Sequence, residues 1–290
     1  PEAFRAAVTE KTRAIFVESL ANPGGVIVDL EAIAKIAQEA EVPLIVDNTM
    51  ATPWLCRPFE WGADLVVHST TKFLSGQGNA MGGIVIDSGR FPWFGNAKYP
   101  SLSEPCPDYN GLTFAETFGD MAFTLYSHAV SLRDLGCTQS PMNAWITLNG
   151  VETLPLRMER HVENAQKVAG FLQQHPSVEW VSYAGLSSSP YYQLAQKYLQ
   201  GKAGSVFTFG IRGGYESGLR LLEKVELFSH VSNIGDSRSL ILHPASTTHR
   251  QLSDEQRLTA GAGPEVIRLS VGIESAEDLI ADLEQALEGL

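Results

Sequence analysis

Four short apolar runs alternate with amphipathic or turn-rich stretches in the first third of the chain. Each run is rich in valine, isoleucine or leucine and ends at polar residues, which is typical of strands buried in a sheet. The predicted strands are Ala14–Glu18, Pro43–Asp47, Asp64–His68 and Gly83–Asp87. An amphipathic stretch, Leu30 to Ala40, precedes the second run. This alternation predicts an α/β domain with a mostly parallel sheet.

A long helical pattern marks the middle of the chain. Apolar residues recur at helical spacing between Gly150 and Gln174, which predicts a helix that joins two domains. Beyond it the pattern predicts three strands and a closing helix, at Val178–Tyr183, Ser205–Ile211, Val266–Val271 and Ala276 to Leu287. We therefore expect a large domain over residues 1–150 and a small α+β domain over residues 151–290.

Two stretches of the large domain lack such periodicity. Glycines crowd Gly76 to Gly83, where backbone could approach a ligand, although a plain turn has the same composition. Proline, glycine, asparagine and aromatic residues crowd Phe91 to Phe118. The second stretch predicts an irregular surface segment with few regular elements.

Composition narrows the classes of function. The chain has 290 residues, of which 44% are hydrophobic and 19% charged, as in an ordinary globular protein of two domains. A formal net charge of −12 argues against binding to a nucleic-acid backbone, and no apolar run is long enough to span a membrane. Three cysteines without paired spacing predict free thiols in a reducing cytoplasm. The seven histidines show no spacing typical of a metal site.

The segment from Asp64 to Gly76 carries the strongest chemical signal. An apolar strand runs into three hydroxyl residues, Ser69, Thr70 and Thr71, and then into Lys72. A lysine at the end of a buried strand is desolvated, which lowers its pKa and favours the free amine that attacks carbonyl groups. Neighbouring hydroxyls could hold a phosphate. Pyridoxal phosphate carries both a carbonyl group and a phosphate, so these residues are suited to bind it. A surface loop with a solvated lysine fits the same residues equally well.

A carboxylate on the preceding strand strengthens the pyridoxal phosphate interpretation. Asp47 ends its strand 25 residues before Lys72, a spacing that suits two neighbouring parallel strands. Both residues then lie at the carboxyl ends of their strands, where open α/β sheets bind ligands. Pyridoxal phosphate needs a lysine at its aldehyde and an acid at its pyridine nitrogen. An aspartate in this position is otherwise a common turn former.

These segments resemble those of a known enzyme family. Asp64 to Gly78 is similar to the lysine signature of the pyridoxal-phosphate-dependent enzymes of cysteine and methionine metabolism. Five further segments resemble that family in the same order along the chain: Glu18–Pro23, Val46–Thr49, Gly235–Leu240, His243–His249 and Ile267–Glu274. The resemblance implies a transferase of fold type I, like aspartate aminotransferase, with a mostly parallel large domain and a small α+β domain.

The resemblance also implies roles for particular residues. Lys72 is the catalytic lysine and Asp47 the partner of the pyridine nitrogen. Ser69 and Thr71 bind the cofactor phosphate, and Asn22 lies near the cofactor ring or the substrate carboxylate. Arg268 grips that carboxylate, since a guanidinium can bond both of its oxygens, although a surface salt bridge is an ordinary alternative. Ser239 assists at the same carboxylate through its main chain or its hydroxyl.

Within the family, Arg90 to Asp134 resembles an insertion of the O-acetylhomoserine sulfhydrylase branch. That branch makes homocysteine and acetate from O-acetylhomoserine and sulfide, a step of methionine biosynthesis. The alternatives are a cystathionine γ-synthase or lyase, a methionine γ-lyase, or a homologue that binds pyridoxal phosphate without catalysis. Gln77 departs from the histidine that many members carry there.

The family further implies a homotetramer and a longer amino-terminal part. Family members carry more than a hundred residues before the segment that matches Pro1, and these include a phosphate-binding loop and a tyrosine that stacks on the cofactor. We therefore expect upstream residues of the same protein to complete the site. Without them the first sheet is expected to have an exposed edge and an uncovered apolar face.

Overall fold

The first of two sheets carries the predicted lysine and aspartate. A computed structural model describes all residues from 1 to 290. The four strands of this sheet lie side by side in chain order: β1 (Ile15–Glu18), β2 (Leu44–Asp47), β3 (Leu65–Ser69) and β4 (Gly83–Asp87). β1, β2 and β3 are parallel, and β4 returns antiparallel to β3. The four predicted strands are confirmed, and the carboxyl ends of the parallel three meet at one edge.

Helices cover part of this sheet. α1 (Glu2–Ala7) precedes β1, α2 (Leu30–Glu39) connects β1 to β2, and α3 (Thr52–Leu55) lies between β2 and β3. The Asp29 side chain caps α2 by accepting a hydrogen bond from the Ala32 N–H. The apolar face of α2, which includes Leu30, Ile33 and Ile36, is buried. The two edge strands are less well covered: Phe16 of β1 and Val85 of β4 are more than half exposed.

The segment that follows β4 forms a small core of its own. Its helices are short: α4 (Pro100–Ser103), α5 (Phe114–Phe118), α6 (Ala122–Tyr126) and α7 (Arg133–Leu135). They enclose a cluster of buried side chains, namely Phe91, Trp93, Leu102, Phe114, Ala115 and Ala122. Few regular elements were expected here, and the helices are indeed brief. The expectation of a mere surface segment is wrong, because the aromatic residues pack on one another.

Two helices replace the single one predicted from Gly150 to Gln174. α8 (Pro141–Glu152) ends before Thr153, and α9 (Leu154–Gln174) begins just after it. Pro155 explains the break, because it has no N–H to donate to the Val151 carbonyl and its ring would clash with that carbonyl in a continuous helix. The apolar positions assigned from the sequence belong to α9, where all of them are buried.

The second sheet lies in the last part of the chain. Its strands are β5 (Val178–Ser182), β6 (Val206–Ile211), β7 (Ser229–His230), β8 (Leu240–Leu242) and β9 (Val266–Ser270), in the spatial order β5-β6-β9-β8-β7. The helices around it are α10 (Tyr192–Tyr198), α11 (Gly214–Lys224), α12 (Asp254–Thr259) and α13 (Ala276–Leu287). β5, β6 and β9 are the predicted strands. β7 and β8 were not predicted, because strands of two or three residues are too short to show an alternation of apolar and polar positions.

One continuous cluster of buried side chains joins the two sheets. It runs from β1 and β2 through α9 to β6, β9 and α13. The predicted boundary near residue 150 therefore stays a prediction. No helix of the protein combines the length and the apolar character that crossing a bilayer requires.

A buried carboxylate on α13 fixes the chain before β7. Asp282 accepts hydrogen bonds from the N–H groups of Glu226, Leu227 and Phe228, at 2.8, 2.9 and 3.1 Å. We expect Asp282→Ala to lower the free energy of unfolding by about 3 kcal/mol, because these N–H groups would lose their acceptor. Unfolding in denaturant measures the free energy of unfolding of both proteins. Glu284→Ala, an exposed change on the same helix, is the control; equal losses in both variants would contradict the anchoring role.

Candidate active site

Asp47 is held by the turn that follows β2. Its Oδ1 accepts a hydrogen bond from the Thr49 N–H at 2.9 Å, and Oδ2 has no donor in the protein. The Thr49 hydroxyl in turn accepts the Ser69 N–H at 2.8 Å. This chain of bonds ties the ends of β2 and β3 together and leaves one carboxylate oxygen of Asp47 available to a ligand.

A buried histidine beside Asp47 was not identified from the sequence. His68 is the residue before Ser69 on β3, and only 4% of its surface is exposed. Burial lowers the pKa of His68, an effect that the Asp47 carboxylate opposes. Its Nδ1 has no hydrogen-bond partner. A histidine within an apolar strand gives no sequence signal beyond that of a core residue.

Lys72 lies in an irregular helical turn directly after β3. Residues Thr70–Leu74 form a π-type turn, and Lys72 itself departs from helical geometry, with φ −92° and ψ −129°. Its half-buried amine donates a hydrogen bond to the Asn233 side-chain oxygen. Burial lowers the pKa of Lys72, and the Arg268 cation lowers it further. Both effects favour the free amine, as the sequence predicted for burial alone.

Arg268 reaches this site from the middle of β9. One of its terminal nitrogens donates to the Asn22 side-chain oxygen at 3.3 Å, and the other donates to the Asn233 carbonyl at 3.2 Å. Burial lowers the pKa of Arg268. No carboxylate lies within ion-pair distance, so the surface salt bridge considered as an alternative is not present. A half-buried cation without an anion is suited to an anionic ligand.

The hydroxyl residues before Lys72 differ in their availability. The half-buried Ser69 hydroxyl makes no hydrogen bond to the protein, whereas Thr71 donates to the Gly82 carbonyl at 3.3 Å and accepts the Gly82 N–H at 3.1 Å. Thr70 is buried and its hydroxyl has no partner. The Ser69 hydroxyl is thus free to donate to a phosphate. The Thr71 hydroxyl would first have to give up its hydrogen bond to the Gly82 carbonyl.

Ser239 stands apart from this group. It is fully buried, and its hydroxyl donates to Glu274 Oε2 at 2.9 Å and accepts the Gly272 N–H at 2.8 Å. Its own N–H donates to Glu274 Oε1 at 2.6 Å. The proposed contact of Ser239 with the substrate carboxylate stays a prediction, and it requires these bonds to be exchanged.

The residues that come together are therefore Asn22, Lys72 and Arg268, and Asn233 links the last two. Asn233 was not singled out from the sequence, because a neutral amide in a loop has no distinctive pattern. Asp47 and Ser69 lie at the same edge of the first sheet. A surface cavity of about 1240 Å³ lies elsewhere, between α2 and the loop around Phe94.

The donor set fits pyridoxal phosphate. A lysine amine of lowered pKa can bond the aldehyde, and a carboxylate oxygen without a donor can accept the N–H of a protonated pyridine. The unpaired Ser69 hydroxyl can donate to the phosphate. Arg268 is left for a second anionic group, such as an amino-acid carboxylate.

Comparison with known proteins agrees with this chemistry. The family model of Cys/Met metabolism PLP-dependent enzymes matches residues 1–288. The chain is 50% identical to an O-acetyl-L-homoserine sulfhydrylase of Leptospira meyeri, over 100% of this chain and 67% of that protein. It is 51% identical to O-acetyl-L-homoserine sulfhydrylase 1 of Thermus thermophilus, over 99% of this chain and 68% of that protein. The chain thus spans about two thirds of the length of these relatives.

A solved structure has the same fold. A provisionally named O-acetylhomoserine (thiol)-lyase from Campylobacter jejuni aligns with a TM-score of 0.95 and 43% identity, over 99% of this chain and 69% of that one. Its crystal structure contains N'-pyridoxyl-lysine-5'-monophosphate. The expected fold type I architecture is confirmed. The chain belongs to the family of PLP-dependent enzymes of cysteine and methionine metabolism, and its cofactor is pyridoxal 5'-phosphate.

Proposed function

We propose that this protein is an O-acetylhomoserine sulfhydrylase. It replaces the acetate group of O-acetylhomoserine with sulfide, so that the bond from Cγ to oxygen breaks, a bond from Cγ to sulfur forms, and homocysteine and acetate are released. The enzymes of Leptospira meyeri and Thermus thermophilus named above, and a homocysteine synthase of Schizosaccharomyces pombe at 45% identity, support this choice. The reaction is the direct sulfhydrylation step of methionine biosynthesis.

The observation that carries the proposal is the position of the Arg268 cation beside the Lys72 amine. The two groups act on each other electrostatically, and Asn233 contacts both. An amino acid whose carboxylate is bound by Arg268 would therefore present its α-carbon near Lys72. Asn22, which already accepts a hydrogen bond from Arg268, supports the orientation of the guanidinium.

Each residue then has a defined task. Bound pyridoxal phosphate supplies the electron sink that makes protons next to the substrate nitrogen acidic. The Lys72 amine removes the proton from the α-carbon and later returns it. The Asp47 carboxylate pairs with the protonated pyridine nitrogen, and Ser69 and Thr71 bind the phosphate. In this proposal Ser239 serves the substrate carboxylate through its main chain or its hydroxyl.

Substrate tests separate the related reactions. The full protein is supplied with O-acetylhomoserine and sulfide, with O-acetylhomoserine and cysteine, with O-succinylhomoserine and sulfide, and with methionine alone. Homocysteine formed fastest from the first pair is expected. Cystathionine from the second pair as the main product would identify a cystathionine synthase, and breakdown of methionine alone would identify a γ-lyase. No product from any mixture, despite bound cofactor, would favour a non-catalytic homologue.

Arg268 offers a test of substrate orientation. We expect Arg268→Gln to raise KM for O-acetylhomoserine by about 10- to 100-fold, because the carboxylate loses charge-assisted hydrogen bonds. KM for sulfide is expected to stay within about twofold of its original value, since sulfide has no carboxylate. Steady-state kinetics with each substrate varied in turn measures both constants. Equal increases for the two substrates would argue against a specific contact.

The protein forms a homotetramer in this proposal. Exposed apolar side chains support assembly: Met142, Trp145 and Leu148, three residues apart on α8, are each about 60% exposed. Gly150 is the only buried residue of that helix. An apolar stripe of this kind is typical of a covered surface. Sedimentation equilibrium measures the mass, and a monomer at micromolar concentration would contradict the assembly.

We place the enzyme in the cytoplasm, since its three cysteines are free thiols.

A further inference from the structure

The turn that carries Lys72 has unusual hydrogen-bond needs. A π-type turn does not form the regular ladder of an α-helix, so its carbonyl groups require other donors. The main-chain N–H of Ser75 donates to the Thr70 carbonyl, and the Ser75 hydroxyl donates to the Thr71 carbonyl at 3.1 Å. The Gly76 N–H donates to the Lys72 carbonyl at 2.8 Å. The next two carbonyl groups, those of Phe73 and Leu74, remain to be satisfied.

Arg157 of α9 supplies the donors for both of them. Its Nη1 donates to the Phe73 carbonyl at 2.8 Å, and its Nη2 donates to the Leu74 carbonyl at 3.4 Å. The same Nη2 donates to the Gly150 carbonyl at 2.6 Å, and Nε donates to the Thr153 hydroxyl at 3.2 Å. Arg157 is partly buried and has no carboxylate partner. Its donors are thus used on main-chain carbonyls and one hydroxyl.

Close packing fixes the guanidinium against the turn. A β-carbon at Gly76, whose φ is +80°, would lie 2.4 Å from Arg157 Nη1. A β-carbon at Gly150 would lie 2.3 Å from the Leu74 carbonyl oxygen. One helical turn after Arg157, the ring of His161 packs edge-on against the Phe73 ring, with centroids 5.3 Å apart. α9 therefore contacts the residue after Lys72 through both its carbonyl and its ring.

We propose that Arg157 is a positioning residue that sets the direction of the Lys72 amine. It bridges α9 and the end of α8 to the turn, so the lysine keeps its non-helical backbone conformation and its side chain points toward Asn233 and Arg268. Arg157 does not touch substrate or cofactor in this role. The inference rests on the assignment of Lys72 as the cofactor lysine proposed above.

The test measures how fast the protein attaches pyridoxal phosphate. Cofactor is removed from the full protein and added back, and the pyridoxyl-lysine adduct trapped by borohydride is followed by mass at successive times. Arg157→Met is expected to form the adduct about tenfold more slowly and to lose about tenfold in kcat, since both anchoring hydrogen bonds are gone. KM for O-acetylhomoserine is expected to change by less than about twofold, because substrate contacts remain.

Matched variants separate positioning from general loss of structure. Arg160→Met removes an exposed arginine from the same helix and is expected to match the original protein. Arg157→Lys keeps the charge and one donor group, so its adduct rate and kcat are expected to lie between those of Arg157→Met and the original protein. This variant remains informative where Arg157→Met fails to fold. Folded Arg157 variants with unchanged adduct rate and kcat would overturn the proposal. An adduct that persists in Lys72→Ala would instead overturn the assignment of Lys72.

Discussion

Lys72→Ala is expected to abolish turnover of O-acetylhomoserine, with a loss of more than about 1000-fold in kcat. In the proposed reaction the Lys72 amine both bonds the cofactor aldehyde and moves the α-carbon proton. Burial and the Arg268 cation both lower the pKa of Lys72, which favours the uncharged, reactive form of its amine. Initial rates of homocysteine formation at saturating substrate measure the loss.

A mass measurement makes this expectation specific. After borohydride treatment the original protein should carry one pyridoxyl group per chain, and Lys72→Ala should carry none. Lys35→Ala, which removes an exposed lysine from α2, should keep both the adduct and the activity. Multiple turnover by Lys72→Ala, or a full adduct in it, would show that another residue holds the cofactor.

Asp47→Asn is expected to lower kcat/KM by about 100-fold or more, which is the usual cost of losing one well-placed electrostatic partner in an active site. The asparagine keeps an oxygen that can accept the Thr49 N–H, so the turn after β2 can survive. It removes the negative charge that a protonated pyridine requires. Steady-state kinetics and the tightness of cofactor binding both measure the effect.

Asp64→Asn is the control for that variant. Asp64 immediately precedes β3, at the amino end of that strand, and its carboxylate accepts the Leu44 N–H at 2.9 Å. We expect its activity to stay within about twofold of the original, since it lies away from the carboxyl ends that bind ligands. Near-normal activity in Asp47→Asn would reject the pyridine role and leave Asp47 as a turn former.

Residues at the ends of strands were the most predictable part of this site. Asp47 and Lys72 follow apolar runs, and parallel pairing brings such ends to one edge whatever the rest of the fold. The distant partners were not derivable from pattern alone. Arg268 was assigned through family resemblance, and Asn233 was missed because its contacts depend on how two sheets pack across a shared core.

Local rules also explain the errors in the fold. The prediction of a single helix from Gly150 to Gln174 overlooked Pro155, which lies in the first turn of α9 and prevents α8 from continuing into it. β7 and β8 are too short to show a period, and their pairing depends on the neighbouring β9. Aromatic residues between Phe91 and Phe118 look like loop composition in the sequence, whereas in three dimensions they pack on one another.

The separate small core of the segment after β4 bears on which substitutions the active site can tolerate. Phe91, Trp93 and Phe114 belong to a cluster distinct from the one beneath the two sheets. Because the two clusters share no side chain, we expect a substitution inside the smaller cluster to disturb its own packing more than the strand ends that hold Asp47 and Lys72.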